Sequence, residues 1–506
     1  MNTAPALRDR RWILAALMLA MMLAAMDITI VSTAIPQVVG DLGGFALFTW
    51  VFSIYLLAQT VTIPIYGKLA DLVGRKAVLI AGTIVFLAGS VACAFAWDMV
   101  SLIAFRGLQG LGAGSIMATV NTLAGDLYSV RERARVQGWL SSVWALSAVI
   151  GPLAGGVFAE YATWRWIFLV NLPIGALAIG LLARFLHEEP VHARHRIDYA
   201  GAGLILAAGG ALIFGLLQGG QAWPWMSKPS IAIFALAAVL IAATVRVERR
   251  AAEPIMPDWL WRDRVLCGTN LAMIGLGAAL MAPNAYLPTF GQSVLGLGAI
   301  AAGFVLATLS IGWPLASAAS GPLYARIGFR DAGLIGSVLV IGACVGFLAL
   351  PVPEPVGLLV LDQIVLGAGL GLLSTPLLVG VQSTVGWQRR GTVTGANFFS
   401  RYLGQTLGAA VYGAIFNGAV SARLSEAPAD LRADLPFHVD AVIGTLHAGQ
   451  LPVAAEHYLR ETLRLATRHV YLGMTLIALA TLVAVLVTPR RFPLVDEDRT
   501  GRTDAR

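Results

Sequence analysis

Two stretches of the sequence, Gly67–Lys76 (GKLADLVGRK) and Gly321–Arg330 (GPLYARIGFR), decide the fold of this chain. Both carry the spacing Gly-x6-Gly-x-basic, and each joins two long apolar runs. The second stretch recurs eight apolar runs after the first, so the pattern predicts two related six-helix repeats. Internal repeats of this kind are a transporter signature, with the substrate bound near the midplane between them.

The composition predicts a polytopic membrane protein. Of the 506 residues, 58% are hydrophobic and 12% are charged, whereas soluble domains carry about 25% charged residues. A helix needs about 20 mostly apolar residues to span a bilayer. On that criterion we predict an all-α integral membrane protein with fourteen spans, near residues 13–34, 47–66, 77–97, 99–123, 138–159, 164–184, 200–219, 229–247, 266–288, 299–321, 333–351, 356–380, 393–418 and 470–488.

Basic residues fall mainly on one side of these spans. Of the 35 lysines and arginines, 26 lie in one set of alternating segments, 7 lie in the other, and Arg106 and Arg401 lie within spans. Cytoplasmic segments carry such an excess, so both termini are predicted to be cytoplasmic. The net charge of +7 then reflects topology and not a nucleic-acid partner. The first apolar run is too long for a cleaved signal peptide and is predicted to be a retained helix.

The repeat also predicts how the chain is divided. We expect an N-terminal six-helix bundle over residues 1–190, two additional helices and linkers over 191–262, a C-terminal six-helix bundle over 263–488, and a cytoplasmic tail over 489–506. The second bundle contains a long outer loop, residues 421–469. Within that loop, Leu451–His469 has apolar residues at helical spacing, which predicts a surface amphipathic helix. Such a helix either caps the outer face or docks a partner.

One acidic residue, Asp27, interrupts the first apolar run between Trp12 and Ile35. A carboxylate at that depth costs about 2.5–3.5 kcal/mol on insertion scales. The fourth span contains Arg106, and the opposite directions of the two spans place both residues at a similar depth. We expect them to pair, either as a switch that binds proton or substrate or as a purely structural ion pair.

The loop between spans two and three carries five residues with distinct physical roles. Gly67 permits close helix contact, Asp71 can pair with Arg75 or with a helix N-terminus, Gly74 supplies a turn, and Arg75 and Lys76 anchor the cytoplasmic side. The loop resembles the signature loop of the major facilitator superfamily, which implies a cytoplasmic latch between the halves. In the second copy Ala325 replaces the acid, so a weaker latch is expected there.

Span five holds a second motif, formed by Gly151, Pro152, Gly155 and Gly156. Proline bends a helix and frees a carbonyl, and the glycines allow tight packing or a hinge. On physical grounds alone, packing is the more common use of such residues. The motif also resembles the one that marks facilitator antiporters, although Ser147 stands where that pattern begins with glycine.

Three further stretches narrow the resemblance: Asp27–Pro36 (DITIVSTAIP), Trp164–Gly175 (WRWIFLVNLPIG) and Asp198–Gly201 (DYAG). With the span count, they are similar to the fourteen-span drug:proton antiporters of that superfamily. Ser32 departs from the first motif, which commonly has asparagine there. The resemblance covers spans one to thirteen and hardly extends to the outer loop or the tail.

The resemblance implies a secondary active multidrug efflux transporter of the inner (plasma) membrane. It would exchange amphipathic, often cationic, compounds for protons by alternating access. The implied partners are small-molecule substrates, protons and the lipid bilayer, and the implied state is a monomer; the need for a periplasmic adaptor stays open. The alternative is a facilitator-fold exporter of a physiological metabolite, siderophore or lipid.

The second half contributes two more charged candidates, Asp362 in span twelve and Arg401 in span thirteen. Asp362 is either a second protonatable site or a boundary acid that reaches water. Arg401 faces the same choice, and the resemblance favours a gating or cavity role. Aromatic and polar residues at membrane depth are candidates for a cavity that binds lipophilic cations through ring faces, or for packing: Trp50, Tyr55, Gln59, Trp144, Asn284, Tyr286 and Trp313.

The sequence argues against an enzyme, a metal site and a cofactor. All seven histidines lie between the apolar runs or at their edges, so no catalytic or metal-binding histidine set is expected within the membrane. Cys93, Cys267 and Cys344 have no paired spacing that would indicate disulfides or metal ligation. The sequence also lacks the Gly-x4-Gly-Lys-Ser/Thr phosphate loop, so it does not indicate transport driven by ATP.

Overall fold

The computed structural model describes most of the chain. The described residues are 7–43, 47–188, 198–220, 223–429, 431–432, 434–436, 442, 445–446 and 451–495. Several sequence predictions lie outside them: the division between residues 190 and 191, the histidines His192 and His195, much of the outer loop, and the tail from residue 496 onward.

The described residues form long α-helices and no β-strand. We number the long helices α1 (Leu7–Leu42), α2 (Phe48–Val73), α3 (Arg75–Ala94), α4 (Met99–Leu127), α5 (Val130–Tyr161), α6 (Asn171–Phe185), α7 (Tyr199–Gln218), α8 (Lys228–Glu248), α9 (Arg264–Ser293), α10 (Leu309–Ile327), α11 (Phe329–Leu348), α12 (Val356–Ser383), α13 (Trp387–Ser425) and α14 (Val453–Val487). Short helices Trp166–Leu169, Trp259–Arg262 and Ala299–Ala307 precede α6, α9 and α10.

Thirteen helical segments in the described part of the chain are long and apolar enough to cross a membrane. They include every long helix except α13, which contains the predicted span 393–418. The 39 residues of α13 are more than long enough, but polar residues such as Asn397, Ser400 and Arg401 lower its hydropathy. Because α13 packs against α2, α9 and α14, protein and not lipid surrounds much of its surface. The predicted count of fourteen therefore exceeds by one what length and hydropathy support.

The helices pack as two bundles with two helices added at the side. Helices α1–α6 pack with one another, and α9–α14 do the same. Helices α7 and α8 pair with each other, and α7 contacts α2. The loops Gly67–Lys76 and Gly321–Arg330 have a similar backbone turn, because Gly74 and Gly328 precede α3 and α11 with φ of 109° and 92°. Glycine adopts that conformation without the steric cost of a Cβ atom. The two bundles thus repeat the same turn at equivalent places.

The bundles meet at one end, which we call the latch end because it carries the loop Gly67–Lys76. There α2 contacts α13 and α5 contacts α10. A Cβ atom on Gly67 would lie 2.5 Å from the carbonyl oxygen of Gly391. Among the described residues, the hydrogen bonds between the bundles all lie at this end, apart from one between Gln59 and Tyr402 farther along the helices. The structure is therefore a state closed at the latch end.

The prediction of a separate surface helix over Leu451–His469 is wrong. Helix α14 begins at Val453 and runs without a break to Val487, so this segment is the first part of the last long helix. Its apolar residues Leu459 and Leu463 are buried in the core of the second bundle. The predicted helical conformation is confirmed, but the apolar stripe packs on protein. The helix continues without a break into the membrane-spanning part of α14.

Candidate functional site

A buried ion pair joins α1 and α4 inside the first bundle. The carboxylate oxygen Oδ2 of Asp27 lies 2.5 Å from Nη1 of Arg106, and neither residue is exposed to solvent. The two residues that the topology placed at one depth are therefore in contact. Removing one partner of a buried pair costs about 3–5 kcal/mol, because the other charge is left uncompensated.

Gln109 links the pair to two more helices. Its Nε2 donates to Oδ1 of Asp27 and to Oγ of Ser90, each at 2.8 Å, and its Oε1 accepts from Nη1 of Arg106 at 2.7 Å. Asn171 donates to the same Ser90 hydroxyl at 2.9 Å. Helices α1, α3, α4 and α6 thus share one buried polar network, in which each oxygen of the Asp27 carboxylate has a partner.

The guanidinium of Arg106 also reaches α2. Its Nε donates to the carbonyl oxygen of Val51 at 3.2 Å, and its Cζ lies 4.2 Å from the centre of the Tyr55 ring. Nη2 has no hydrogen-bond partner among the described residues. Arg106 therefore contacts α2 as well as Asp27 of α1.

The span-five motif packs directly on the helix that carries Asp27. A Cβ atom on Gly151 would collide with the Thr29 side chain, and one on Gly155 would collide with Thr33 and lie 2.9 Å from the Ile30 carbonyl oxygen. Thr29 donates to the carbonyl oxygen of Ser147 at 2.9 Å. By contrast, a Cβ atom on Gly156 meets nothing within 4 Å, and Pro152 is exposed. Two of the four motif residues therefore hold α5 against α1.

This contrast gives a prediction for two neighbouring glycines. Gly155→Val is expected to lower stability by about 1–3 kcal/mol, the usual cost of overpacking, and to reduce transport because α5 and α1 are forced apart. Gly156→Val is the matched control and is expected to retain both properties, since its side chain enters open space. Thermal unfolding in detergent and a transport assay measure the two effects. Equal losses in both variants would show that the motif acts through backbone flexibility and not through packing.

At the latch end, Asp71 of α2 binds the beginning of α13. Its Oδ1 accepts from the backbone N–H of Gly391 at 2.9 Å, and its Oδ2 accepts from the N–H and the hydroxyl of Thr392 at 2.7 and 2.8 Å. A carboxylate near a helix N-terminus also interacts favourably with the helix dipole. Asp71 thus joins the two bundles through three hydrogen bonds.

Arg75 makes a second connection between the bundles. Its Nη2 is 2.9 Å from Oδ1 of Asp71 and donates to the carbonyl oxygen of Trp387 at 2.5 Å, while its Cζ lies 3.8 Å from the centre of the Trp387 ring. The carboxylate of Glu188 accepts from the backbone N–H groups of Arg75 and Lys76. The Lys76 side chain instead donates to the carbonyl oxygen of Ala183. Lys76 therefore anchors α3 to α6, and its side chain forms no hydrogen bond with the second bundle in the described part of the chain.

Asp126 is a member of this network that the sequence reasoning missed. Its carboxylate lies 3.0 Å from Nε of Arg75 and 2.6 Å from Nη1 of Arg390, so it bridges an arginine from each bundle. All three side chains are nearly fully buried. In the second copy of the loop, one hydrogen bond between described residues reaches the first bundle, from the Tyr324 hydroxyl to the carbonyl oxygen of Val130.

Removal of the bridging charge tests whether this network holds the latch end closed. Asp126→Asn leaves two buried guanidiniums without their shared acid, so we expect a loss of about 3–5 kcal/mol for the closed state. Spin-label distances across the latch end are expected to shift to longer values. Asp331→Asn is the matched control, because Asp331 pairs with Arg330 and Arg490 at a more exposed site, where ion pairs contribute about 0–1 kcal/mol. An unchanged distance distribution in Asp126→Asn would contradict the assignment.

The two charged candidates of the second bundle are not brought together. Asp362 accepts a hydrogen bond from its neighbour Gln363 at 3.1 Å, and no basic side chain among the described residues forms an ion pair with it. The guanidinium Cζ of Arg401 lies 4.8 Å from the centre of the Trp313 ring, and its Nε has no partner in the described part of the chain. The second bundle thus contains no counterpart of the Asp27–Arg106 pair within the described residues.

The proposed cavity-lining residues have different surroundings. Trp50 packs on Phe214 of α7 with ring centres 5.3 Å apart, and Tyr286 packs on Phe416 at 4.9 Å. Tyr55 and Trp313 each lie against an arginine. Of the remaining three, Gln59 donates to the Tyr402 hydroxyl at 3.4 Å, Asn284 is exposed, and Trp144 packs on the core of the first bundle. Trp50 and Tyr286 are therefore packing residues in this state.

Known transporters resemble this chain in sequence. It is 33% identical over 408 residues to the multidrug transporter protein MdtP of Bacillus subtilis, covering 81% of this chain and 75% of that protein. It is 33% identical over 420 residues to multidrug resistance protein 3 of Bacillus subtilis, covering 82% and 81%. The efflux pump dotC of Dothistroma septosporum is 36% identical over 322 residues, covering 62% of this chain and 56% of that protein.

The fold also matches a solved structure. The human organic anion transporter MFSD10 (TETRAN) aligns with a TM-score of 0.61 over 94% of this chain and 99% of that one, at 14% identity. At that identity the match concerns the fold alone. Residues 17–409 match the sequence profile of the Major Facilitator Superfamily, and this range contains both the Asp27 network and the latch. The chain belongs to the Major Facilitator Superfamily.

Proposed function

We propose that this protein is a proton-coupled exporter of amphipathic compounds, many of them cationic, of the fourteen-span antiporter type. The observation that carries the proposal is the Asp27 carboxylate, which is fully buried in the first bundle with both oxygens engaged by Arg106 and Gln109. Charged groups within membrane spans commonly belong to ion pathways and proton relays. The names of the relatives, multidrug transporter and efflux pump, support export of small molecules.

The mechanism follows from what a proton does at Asp27. Protonation removes the negative charge, so the attraction between α1 and α4 weakens while Arg106 keeps its contacts with Gln109, Val51 and Tyr55. The Gly151 and Gly155 contacts transmit a movement of α1 to α5, which meets α10 of the other bundle. Proton binding at Asp27 therefore biases the relative position of the two bundles.

The distribution of basic residues supports a direction for the proposed exchange. The excess of arginine and lysine supports a latch end on the cytoplasmic side of the cell membrane. In that orientation, the closed latch end corresponds to an outward-facing state. In antiport, Asp27 receives a proton from outside in this state and releases it inside once the latch end has opened. Asp71, Arg75 and Asp126 hold the closed state until that step.

Reconstituted vesicles test the proposal directly. Purified protein in liposomes with an imposed pH gradient is expected to accumulate a lipophilic cationic dye against its concentration gradient, and to release protons in exchange. Collapse of the gradient with a protonophore is expected to stop accumulation. A panel that includes neutral and metabolite-like compounds separates a multidrug exporter from an exporter of one physiological solute. Dye movement that ignores the pH gradient would contradict proton coupling.

A further inference from the structure

A groove of about 530 Å³ lies between α9 and α14 on the outside of the second bundle. Its walls are apolar, and Leu271, Val483 and Val487 on its rim are 49–63% exposed. All three belong to candidate membrane spans, so this opening faces the bilayer and not the interior of the protein. The volume is in the range of about 300–1,000 Å³ that is typical of ligand pockets.

The length of the groove along α9 is close to the thickness of one leaflet of the hydrocarbon core. It extends along α9 from Arg264 to Gly275, and at 1.5 Å per residue this length is about 16 Å. Half of a hydrocarbon core of about 30 Å is about 15 Å. Gly268 and Gly275 form its floor, where α9 approaches α14 so closely that a Cβ atom would collide with Thr488 or Thr481. An acyl chain therefore has a continuous apolar channel from the interface to the middle of the bilayer.

The polar end of the groove is basic. Arg262, Arg264 and Trp261 line it, and tryptophan is enriched at membrane interfaces. Arg264 forms no ion pair with an acid among the described residues. Arg262 is 3.1 Å from the Asp258 carboxylate and is 76% exposed, so it remains accessible to a second anion.

We infer that this groove binds one anionic phospholipid of the leaflet at the latch end, with an acyl chain along α9 and the phosphate on Arg262 and Arg264. Basic pockets between helices on the cytoplasmic side are suited to anionic headgroups. The site lies on the surface of the second bundle, and none of the residues that line it belongs to the Asp27 network or the latch network. The inference does not depend on which compounds the protein transports.

A native cysteine reports occupancy of this site. Cys267 lines the groove and is partly exposed, whereas Cys93 and Cys344 are fully buried. In nanodiscs, the reaction of Cys267 with N-ethylmaleimide is expected to be several-fold slower when phosphatidylglycerol is mixed into phosphatidylcholine than in phosphatidylcholine alone. Intact-mass measurement follows the reaction, and the Cys267→Ser variant identifies the modified residue. Equal rates in the two lipid mixtures would overturn the inference.

Charge variants separate a specific site from general lipid coverage. Each arginine near a membrane surface contributes about a fivefold preference for anionic lipid, so the Arg262→Gln/Arg264→Gln variant is expected to lose the protection by phosphatidylglycerol. Arg326→Gln, an exposed arginine on α10, is the matched control and is expected to keep it. Native mass spectrometry is expected to show one retained phosphatidylglycerol fewer in the double variant. Undiminished protection in that variant would also overturn the assignment.

Discussion

Asp27→Asn is expected to abolish accumulation of substrate driven by a pH gradient, with expression at the level of the unmodified protein. Asparagine keeps the shape of the side chain and can still accept from Arg106, but it cannot bind or release a proton at Asp27. The proton is therefore no longer exchanged, while binding and movement of substrate down its own gradient persist. Accumulation and passive exchange are measured in the same proteoliposomes, so the two effects are separated within one preparation.

Two controls distinguish coupling from a structural role. Asp41→Asn changes an exposed acid on the same helix, which is 3.5 Å from Arg165, and is expected to retain full activity. The Asp27→Asn/Arg106→Gln variant removes both charges, so any stability lost by leaving Arg106 unpaired is recovered. Coupling stays absent in the double variant if Asp27 carries the proton. Recovery of accumulation together with stability would show that the pair has only a structural role.

Gly67→Val is the second variant with a large expected effect, because it blocks closure at the latch end. Its Cβ atom would lie 2.5 Å from the Gly391 carbonyl oxygen and 3.0 Å from the Gly395 Cα atom. These obstacles are backbone atoms of the other bundle and cannot rotate away. We expect transport to cease while each bundle remains folded, since the conflict arises only when α2 and α13 meet.

Distances across the latch end measure this effect. Spin labels on S129C and R326C, in a Cys267→Ser background, report the separation of α5 and α10 at the latch end. The Gly67→Val variant is expected to populate the longer distances alone, whereas the unmodified chain samples both states. Gly180→Val is a matched control, because a Cβ atom at Gly180 meets nothing within 4 Å. A distance distribution in Gly67→Val that still contains the short separation would refute the steric argument.

The pairing of Asp27 with Arg106 was predictable, because the direction of each span and the position of a residue along it give the depth of that residue in the membrane. Gln109 was within reach of the same reasoning, since a residue three positions after Arg106 on a helix lies on nearly the same face. Asp126 was not, because it lies near the end of a helix, where acids are common. Its partner Arg390 is 264 positions away. Only the packing of the two bundles shows that both residues meet at the latch.

The fold class was predictable because the length of the apolar runs and the repeated glycine loop are both local features of the sequence. The failures came from residues whose partners lie elsewhere in the chain. The apolar stripe from Leu451 to His469 indicates a helix, but it does not indicate which part of the protein packs against that helix. In the structure, the stripe packs against the rest of the second bundle. For Trp50 the sequence left a cavity role and a packing role open, and in the structure it packs on Phe214 of the added helices. Periodicity identifies an apolar face, and only tertiary structure identifies its neighbour.

Under the proposed function, the position of Asp27 has a consequence for the energetics of exchange. Its hydrogen-bond partners, Arg106 and Gln109, belong to the same bundle, so the proposed uptake and release of a proton at Asp27 involve groups of one bundle only. In the proposed mechanism the number of protons exchanged in each cycle is then set by the protein, and we expect it to be the same for large and small compounds. The charge of the transported compound then affects the driving force only through the membrane voltage. With the same number of protons exchanged, we therefore expect a neutral and a cationic compound to reach different concentration gradients at equilibrium.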